Sequence, residues 1–106
     1  MIKKMEETIN LGESIELTGS KELDKGVVVI LKKMIGNYVK RISDHETGFE
    51  KFNVTIKKVH ETEKNSKFQI NGKMRVNGKV YNAEITDFNL FFALNSIFNK
   101  IEKEIK

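Results

Sequence analysis

The chain has 106 residues, of which 39% are hydrophobic and none is cysteine, and its formal net charge is +4 at pH 7. These values predict one domain spanning residues 1–106, and they exclude a disordered chain, disulfide bonds and thiolate chemistry. No stretch has the length of a membrane span or of a signal peptide, so we expect a cytoplasmic protein whose positive charge favours a polyanionic partner.

The first predicted elements are a strand and a long helix. Thr8 to Leu17 alternates in two pieces on either side of Gly12, which predicts a strand that is broken at the glycine. A helix should follow from about Lys21 to Ile42, with Ser20 as its N-cap. The run Val27 to Ile30 could form a strand by itself, but the length and period of the whole segment favour a helix. The predicted apolar stripe of this helix is Leu23, Val27, Ile30, Met34, Tyr38 and Ile42, widened by Val28, Leu31, Ile35 and Val39.

Opposite this stripe, four lysines share one arc of about 100° around the helix. They are Lys25, Lys32, Lys33 and Lys40. Lysine favours helices on any surface, so the arc is compatible with a merely solvated face. An arc of cations that no acidic residue interrupts after the first turn is also compatible with a polyanionic partner.

A second strand is predicted from Phe49 to Val59, with a bulge or strand end near Lys58, where the alternation breaks. A polar connection, His60 to Asn65, leads into the most informative stretch of the chain.

That stretch is Lys67 to Thr86, which predicts a β-hairpin. Asn77-Gly78 separates two alternating runs, and both central residues of a type I′ turn need positive φ. If this pair forms the turn, Val76 lies opposite Lys79 and every other pair follows by counting. One face of the hairpin is then apolar and the other polar, and a shift of one residue would mix them.

The last predicted element is a helix from about Asn89 to Lys106, capped by Asp87 or Asn89, with Phe92 pointing outward. The resulting order is β-α-β-β-β-α. Because a sheet with one polar face needs helices on its apolar face, this order predicts an α+β two-layer sandwich. Its four-stranded sheet should carry both helices on one face.

The residue types that catalyse reactions are present but not grouped. His45 and His60 lie in predicted loops at a spacing that matches no metal-ligand pattern. The serines have no nucleophile-elbow context, and the glycines are scattered rather than gathered into a phosphate loop. We therefore predict that the protein is not an enzyme and has no cofactor and no metal.

Four segments carry a resemblance to a known family. They are Val76 to Glu84 (Val-Asn-Gly-Lys-Val-Tyr-Asn-Ala-Glu), Asn89 to Leu94 (Asn-Leu-Phe-Phe-Ala-Leu), Asn99 to Ile105 (Asn-Lys-Ile-Glu-Lys-Glu-Ile) and Ile15 to Thr18 (Ile-Glu-Leu-Thr). Together with the element order, they resemble the short form of the ribosome hibernation-promoting factors and the related ribosome-associated inhibitor. In that family the last helix opens with an Asp-Met-Tyr-Ala-Ala-Ile type motif and closes with Asp-Lys-Leu-Glu-Arg-Gln-Leu.

The resemblance implies a fold related to double-stranded-RNA-binding domains. It also implies binding to ribosomal RNA in the small ribosomal subunit, in the channel for mRNA and tRNA, with translation restrained. The nucleic-acid-binding residues that it implies are lysines of the two helices: Lys25, Lys32, Lys33, Lys40, Lys100 and Lys103.

Two other interpretations stay open at the level of sequence. The same scaffold could be a protein-interaction or structural domain with no nucleic-acid role, using the outer face of the sheet or an edge strand. A small-molecule-binding or enzymatic domain would need a pocket that the sequence does not reveal.

Overall fold

The structure, a computed structural model, describes residues 8–12, 14–21, 23–61 and 66–105. The elements in this part of the chain are β1 (Thr8–Gly12), β2 (Ile15–Thr18), α1 (Lys25–His45), β3 (Phe49–Glu61), β4 (Ser66–Val76), β5 (Lys79–Asp87) and α2 (Leu90–Ile105). The strands form one sheet in the order β1-β2-β3-β4-β5, antiparallel except for β2 beside β3. The predicted α+β sandwich, with both helices on one face of a mixed sheet, is confirmed.

The β4–β5 hairpin has the predicted turn and register. Asn77 and Gly78 have φ values of 52° and 76°, as their type I′ positions require. Val76 lies opposite Lys79, and the pairing continues without a shift to Phe68 opposite Asp87. The turn is also held from β3, because the Gly78 N–H donates to Glu50 Oε2 at 2.6 Å. This uninterrupted register keeps Gln69, Asn71, Lys73 and Arg75 of β4 together on one open face of the sheet.

The predicted first strand, Thr8 to Leu17, is divided into β1 and β2, which pair antiparallel with each other. Their ends are joined by the Thr8 and Thr18 hydroxyl groups, 2.9 Å apart. β2 then runs parallel to β3, with Leu17 opposite Val54. A parallel pair needs a crossover connection, and α1 supplies it.

The predicted start of the first helix is wrong. α1 begins at Lys25, and its N-cap is Asp24, whose Oδ2 accepts from the Gly26 N–H at 3.0 Å. Ser20 lies before the helix, buried, and its Oγ has no hydrogen-bond partner among the described residues. Both residue types are good caps, so local sequence does not choose between them.

All buried residues of α1 belong to the predicted stripe with its widening residues, but they occupy only one side of that stripe. Ile30, predicted to face the sheet, is 48% exposed. The segment from Val27 to Ile30 is apolar on every side, so its period does not fix which side faces the sheet, and packing decides. The residues of α1 that are buried are Leu31, Ile35, Tyr38, Val39 and Ile42.

The bulge predicted near Lys58 is confirmed, because the β3–β4 register shifts between Lys58 and His60. The predicted connection His60 to Asn65 is shorter than expected, since β3 extends to Glu61; residues 62–65 lie outside the described part of the chain. The cap of α2 is Asn89, whose Oδ1 accepts from the Phe92 N–H at 2.9 Å.

Three aromatic rings join the two layers. Tyr38 of α1 stacks on Phe98 of α2 with ring centroids 4.1 Å apart, and both rings tilt against Phe52 of β3. The Tyr38 hydroxyl donates to the Phe98 carbonyl at 3.1 Å. Burial, and then the neighbouring Glu102 carboxylate, raise the pKa of Tyr38 far above its usual range, although Arg41 opposes this shift.

The two helices run in the same direction, because the Tyr38–Phe98 contact is followed one turn later by the Arg41–Glu102 ion pair at 2.9 Å. Within the described residues, neither helix combines the length and apolarity needed to cross a membrane.

Candidate nucleic-acid interface

The six helix lysines predicted to bind nucleic acid are all exposed: Lys25, Lys32, Lys33, Lys40, Lys100 and Lys103. None of them forms an ion pair within the described part of the chain, where the pairs are Arg41–Glu102 and Lys51–Glu16. Their charges therefore face solvent without an ion-pair partner among the described residues. The helix layer can offer them to a polyanion without first breaking a contact.

The fold directs these lysines to different sides of the helix layer. The flank of α1 that faces α2 is marked by Arg41, and at about 100° per residue Lys25 and Lys32 lie roughly 160° and 180° away from it. On α2, Lys100 lies about 160° from Glu102, which marks the flank that faces α1. Lys25, Lys32 and Lys100 thus point away from the seam between the helices. The other three, Lys33, Lys40 and Lys103, lie only about 80° to 100° from these markers and face outward from the helix layer.

The larger group is the α1 lysine patch, which we define as Lys25, Lys32, Lys33 and Lys40. At its centre lies Gly36, one helical turn from Lys32, Lys33 and Lys40. A Cβ atom at Gly36 would meet nothing within 4 Å. Glycine inside a helix costs about 1 kcal/mol relative to alanine. No packing contact within the described chain compensates for that cost.

Acidic neighbours partly offset the positive charge of the smaller group, which consists of Lys100 and Lys103. Glu102 is engaged by Arg41, and Glu104 is exposed beside the two lysines. Asp44, also exposed, follows Lys40 by one turn and marks the C-terminal limit of the α1 lysine patch. The geometry therefore favours α1 over α2 as the main contact for a polyanion.

A further set of cations, absent from the predicted site, lies on the open face of the sheet. We define the sheet cation cluster as Lys51 of β3 with Lys73 and Arg75 of β4. Lys51 lies directly opposite Arg75, and both border a shallow depression of about 220 Å³. The hairpin turn already predicted that Lys73 and Arg75 share the polar face. Only the non-local pairing of β3 with β4 brings Lys51 beside them.

The described residues contain no group of three or more histidine, cysteine, aspartate or glutamate side chains that could hold a metal ion. His45 is exposed at the end of α1, while the side chain of His60 is outside the description. The prediction that the protein is not an enzyme is not tested by these observations and stays a prediction.

Two exposed phenylalanines lie at the start of α2. Phe88 is 55% exposed and Phe92 is 60% exposed, as predicted for Phe92. The Lys67 ammonium group lies 5.4 Å from the centre of the Phe88 ring, so one face of that ring already has a cationic neighbour. Exposed rings of this size are an apolar surface that water solvates poorly.

Comparison of the chain with protein-family models, curated proteins and solved structures found no match. The resemblance to the hibernation factors therefore depends on the segments quoted above and stays a prediction.

Proposed function

We propose that the protein is a non-catalytic RNA-binding module that docks on structured RNA, with the RNA of the small ribosomal subunit as the first candidate. In this proposal, binding restrains translation, as the resemblance to the hibernation factors implies. The α1 lysine patch makes the principal contact, and Lys100 and Lys103 of α2 make a weaker one.

The observation that carries the proposal is Gly36 at the centre of the α1 lysine patch. Glycine lets a partner approach the backbone closely. A side chain at this position would project among Lys32, Lys33 and Lys40, which lie one helical turn away. Glycine, with open space where its Cβ would be, leaves a notch in the helix surface at this point. A phosphate group seated there would lie close to the helix and within reach of several ammonium groups. The loss of helix stability caused by Gly36 then has a functional reason.

Lysine ammonium groups contact phosphates as point charges and do not read bases. Binding through the α1 lysine patch should therefore depend on the shape and phosphate spacing of the RNA and only weakly on its sequence. It should also weaken steeply with salt, because each neutralised phosphate releases counterions.

The proposal is tested by co-sedimentation with purified small ribosomal subunits across a salt series. The wild-type chain is compared with a variant carrying Lys32→Glu, Lys33→Glu and Lys40→Glu. All three side chains are exposed, so the variant should fold and lose at least about a hundredfold in affinity. A matched control is Lys57→Glu with Lys58→Glu and Lys79→Glu, which changes the net charge equally on other surfaces. Equal losses in both variants would contradict a specific role for α1.

The second candidate function is protein interaction, and exposed Phe88 and Phe92 favour it. β5 is also an edge strand of nine residues whose free side could pair with a strand of a partner. A protein partner that contacts the exposed phenylalanines should bind with an affinity independent of salt. The substitution Phe92→Ser should abolish that binding. Binding that survives the lysine reversals but not Phe92→Ser would replace the first candidate with this one.

A further inference from the structure

The open face of the sheet has two halves that differ in how their polar and charged groups are paired. In one half, the Glu84 carboxylate accepts from Gln69 Nε2 at 2.8 Å and from Asn71 Nδ2 at 3.3 Å. The polar groups there satisfy one another. The other half holds the sheet cation cluster, where positive charges exceed their partners.

The strand register brings like charges together in the cluster. Lys51 and Arg75 are directly opposite each other on the central strands β3 and β4, and Lys73 lies two residues from Arg75 on the same face. Directly opposite side chains have Cβ atoms about 5 Å apart, and like charges at that position destabilise a sheet. Glu16 offsets part of this repulsion, since its Oε2 lies 3.4 Å from Lys51 Nζ. Lys73 and Arg75 have no ion-pair partner among the described residues.

The floor of the cluster contains a polar group without a partner. Asn53 lies opposite Lys73 and lines the same depression of about 220 Å³. Its Oδ1 is shielded from solvent and accepts no hydrogen bond within the described structure. A small rotation of this amide would present a donor or an acceptor to a ligand seated between the cations. Val80, opposite Arg75, closes the depression with an apolar wall.

We propose that the sheet cation cluster binds the phosphodiester backbone of RNA, as a second contact surface on the side of the molecule opposite the helices. The charge of the cluster is complementary to phosphate, and the guanidinium fork of Arg75 matches its oxygens. The cross-strand rows Lys51–Arg75–Val80 and Asn53–Lys73–Asn82 contain no aromatic side chain on which a base could stack. The contact is therefore to the backbone and carries no sequence readout. The inference rests on the proposed RNA-binding function, but because it uses a different surface it is tested separately from the α1 lysine patch.

The experiment measures binding of one structured RNA to four chains across a salt series. They are the wild type, the α1 variant Lys32→Glu/Lys33→Glu/Lys40→Glu, the sheet variant Lys73→Gln/Arg75→Gln, and the control Lys57→Gln/Lys79→Gln. The control removes the same two charges from exposed positions outside the cluster. A thermal unfolding curve for each chain checks folding. The sheet variant should be no less stable than the wild type, because it loses repulsion rather than attraction.

The expected result is a loss of about tenfold or more in affinity for the sheet variant, a salt slope that is smaller by one to two, and a change of less than about threefold for the control. Equal affinities of the sheet variant and the control would overturn the inference. If only the α1 variant loses binding, the proposed function survives and the sheet inference fails. If only the sheet variant loses binding, the sheet inference survives and the principal role of the α1 lysine patch fails. Absence of RNA binding by the wild type at low salt would refute both.

Discussion

The helix layer and the open sheet face both expose cations, but the fold places them by different means. The α1 lysine patch arises from local periodicity: residues three, four and seven apart share one side of a helix whatever the rest of the chain does. The sheet cation cluster arises from the pairing of β3 with β4, which joins residues far apart in sequence. The two surfaces therefore respond to different substitutions, and this makes them separable by experiment.

They also differ in what their arrangement costs. The α1 lysines have flexible side chains that can separate their charges. The loss of stability on that face therefore comes mainly from Gly36 in the helix. On the sheet, the cost is repulsion between Lys51 and Arg75, which the register holds opposite each other. A bound polyanion would compensate for both costs. A surface whose polar groups satisfy one another, such as that around Glu84, offers no such gain.

The substitution with the largest expected effect is Gly72→Val, which affects both surfaces by separating the layers. A Cβ at Gly72 would lie 2.5 Å from Ile97 Cγ2, so α2 approaches β4 too closely for a side chain. We expect the free energy of unfolding in denaturant to fall by about 3 kcal/mol. Asn71→Val is the matched control, because it puts the same side chain on the open face of the same strand. Similar stabilities for the two variants would contradict the close approach of the layers.

The next effect is expected from Gly78→Val, which alters the turn that sets the sheet register. A β-branched residue at φ 76° is strained, and we expect a loss of about 2 kcal/mol in unfolding free energy. Gly78→Asn should cost less, since asparagine tolerates this conformation. If valine were accommodated without loss of stability, the turn would not control the alignment of Lys73 and Arg75.

Gly36→Ala separates stability from binding and concerns α1 alone. The variant should be more stable by about 1 kcal/mol, because alanine favours the helix and its methyl group meets no neighbour. Its affinity for structured RNA should nevertheless fall severalfold, because the notch among the lysines is filled. Unfolding and RNA titration of the same preparation measure both quantities. A variant that is more stable and binds equally well would show that Gly36 has no role in contact.

The smallest effect is expected from Glu16→Gln, which concerns the sheet alone. The Glu16–Lys51 pair is exposed, so its loss should change stability by less than about 0.5 kcal/mol. Removing the acidic group beside the sheet cation cluster should strengthen RNA binding by up to about threefold, measured as the dissociation constant at fixed salt. A weakened complex would indicate that Glu16 positions Lys51 for the ligand.

Features that depend on residues close together in the sequence could be predicted, whereas features that depend on distant residues could not. The β4–β5 hairpin was predictable pair by pair, because the Asn77-Gly78 turn fixes its register locally. The helix lysines were predictable as exposed for the same reason. The start of α1 was not, since Ser20 and Asp24 are equivalent caps until the chain is packed. The sheet cation cluster was missed because Lys51 joins Arg75 only through the β3–β4 register, which includes a shift between Phe49 and Lys51.

The two proposed surfaces are tested most directly by finding which residues RNA contacts, and amide chemical-shift mapping by NMR measures this for a chain of 12.2 kDa. A structured RNA is titrated into the labelled protein at low salt, and the shifted amides are placed on the fold. We expect two groups of shifted amides. One lies in α1 around Lys32, Gly36 and Lys40, and the other lies around Lys51, Lys73 and Arg75. Shifts confined to Phe88, Phe92 and the free edge of β5, or no shifts at all, would contradict this expectation.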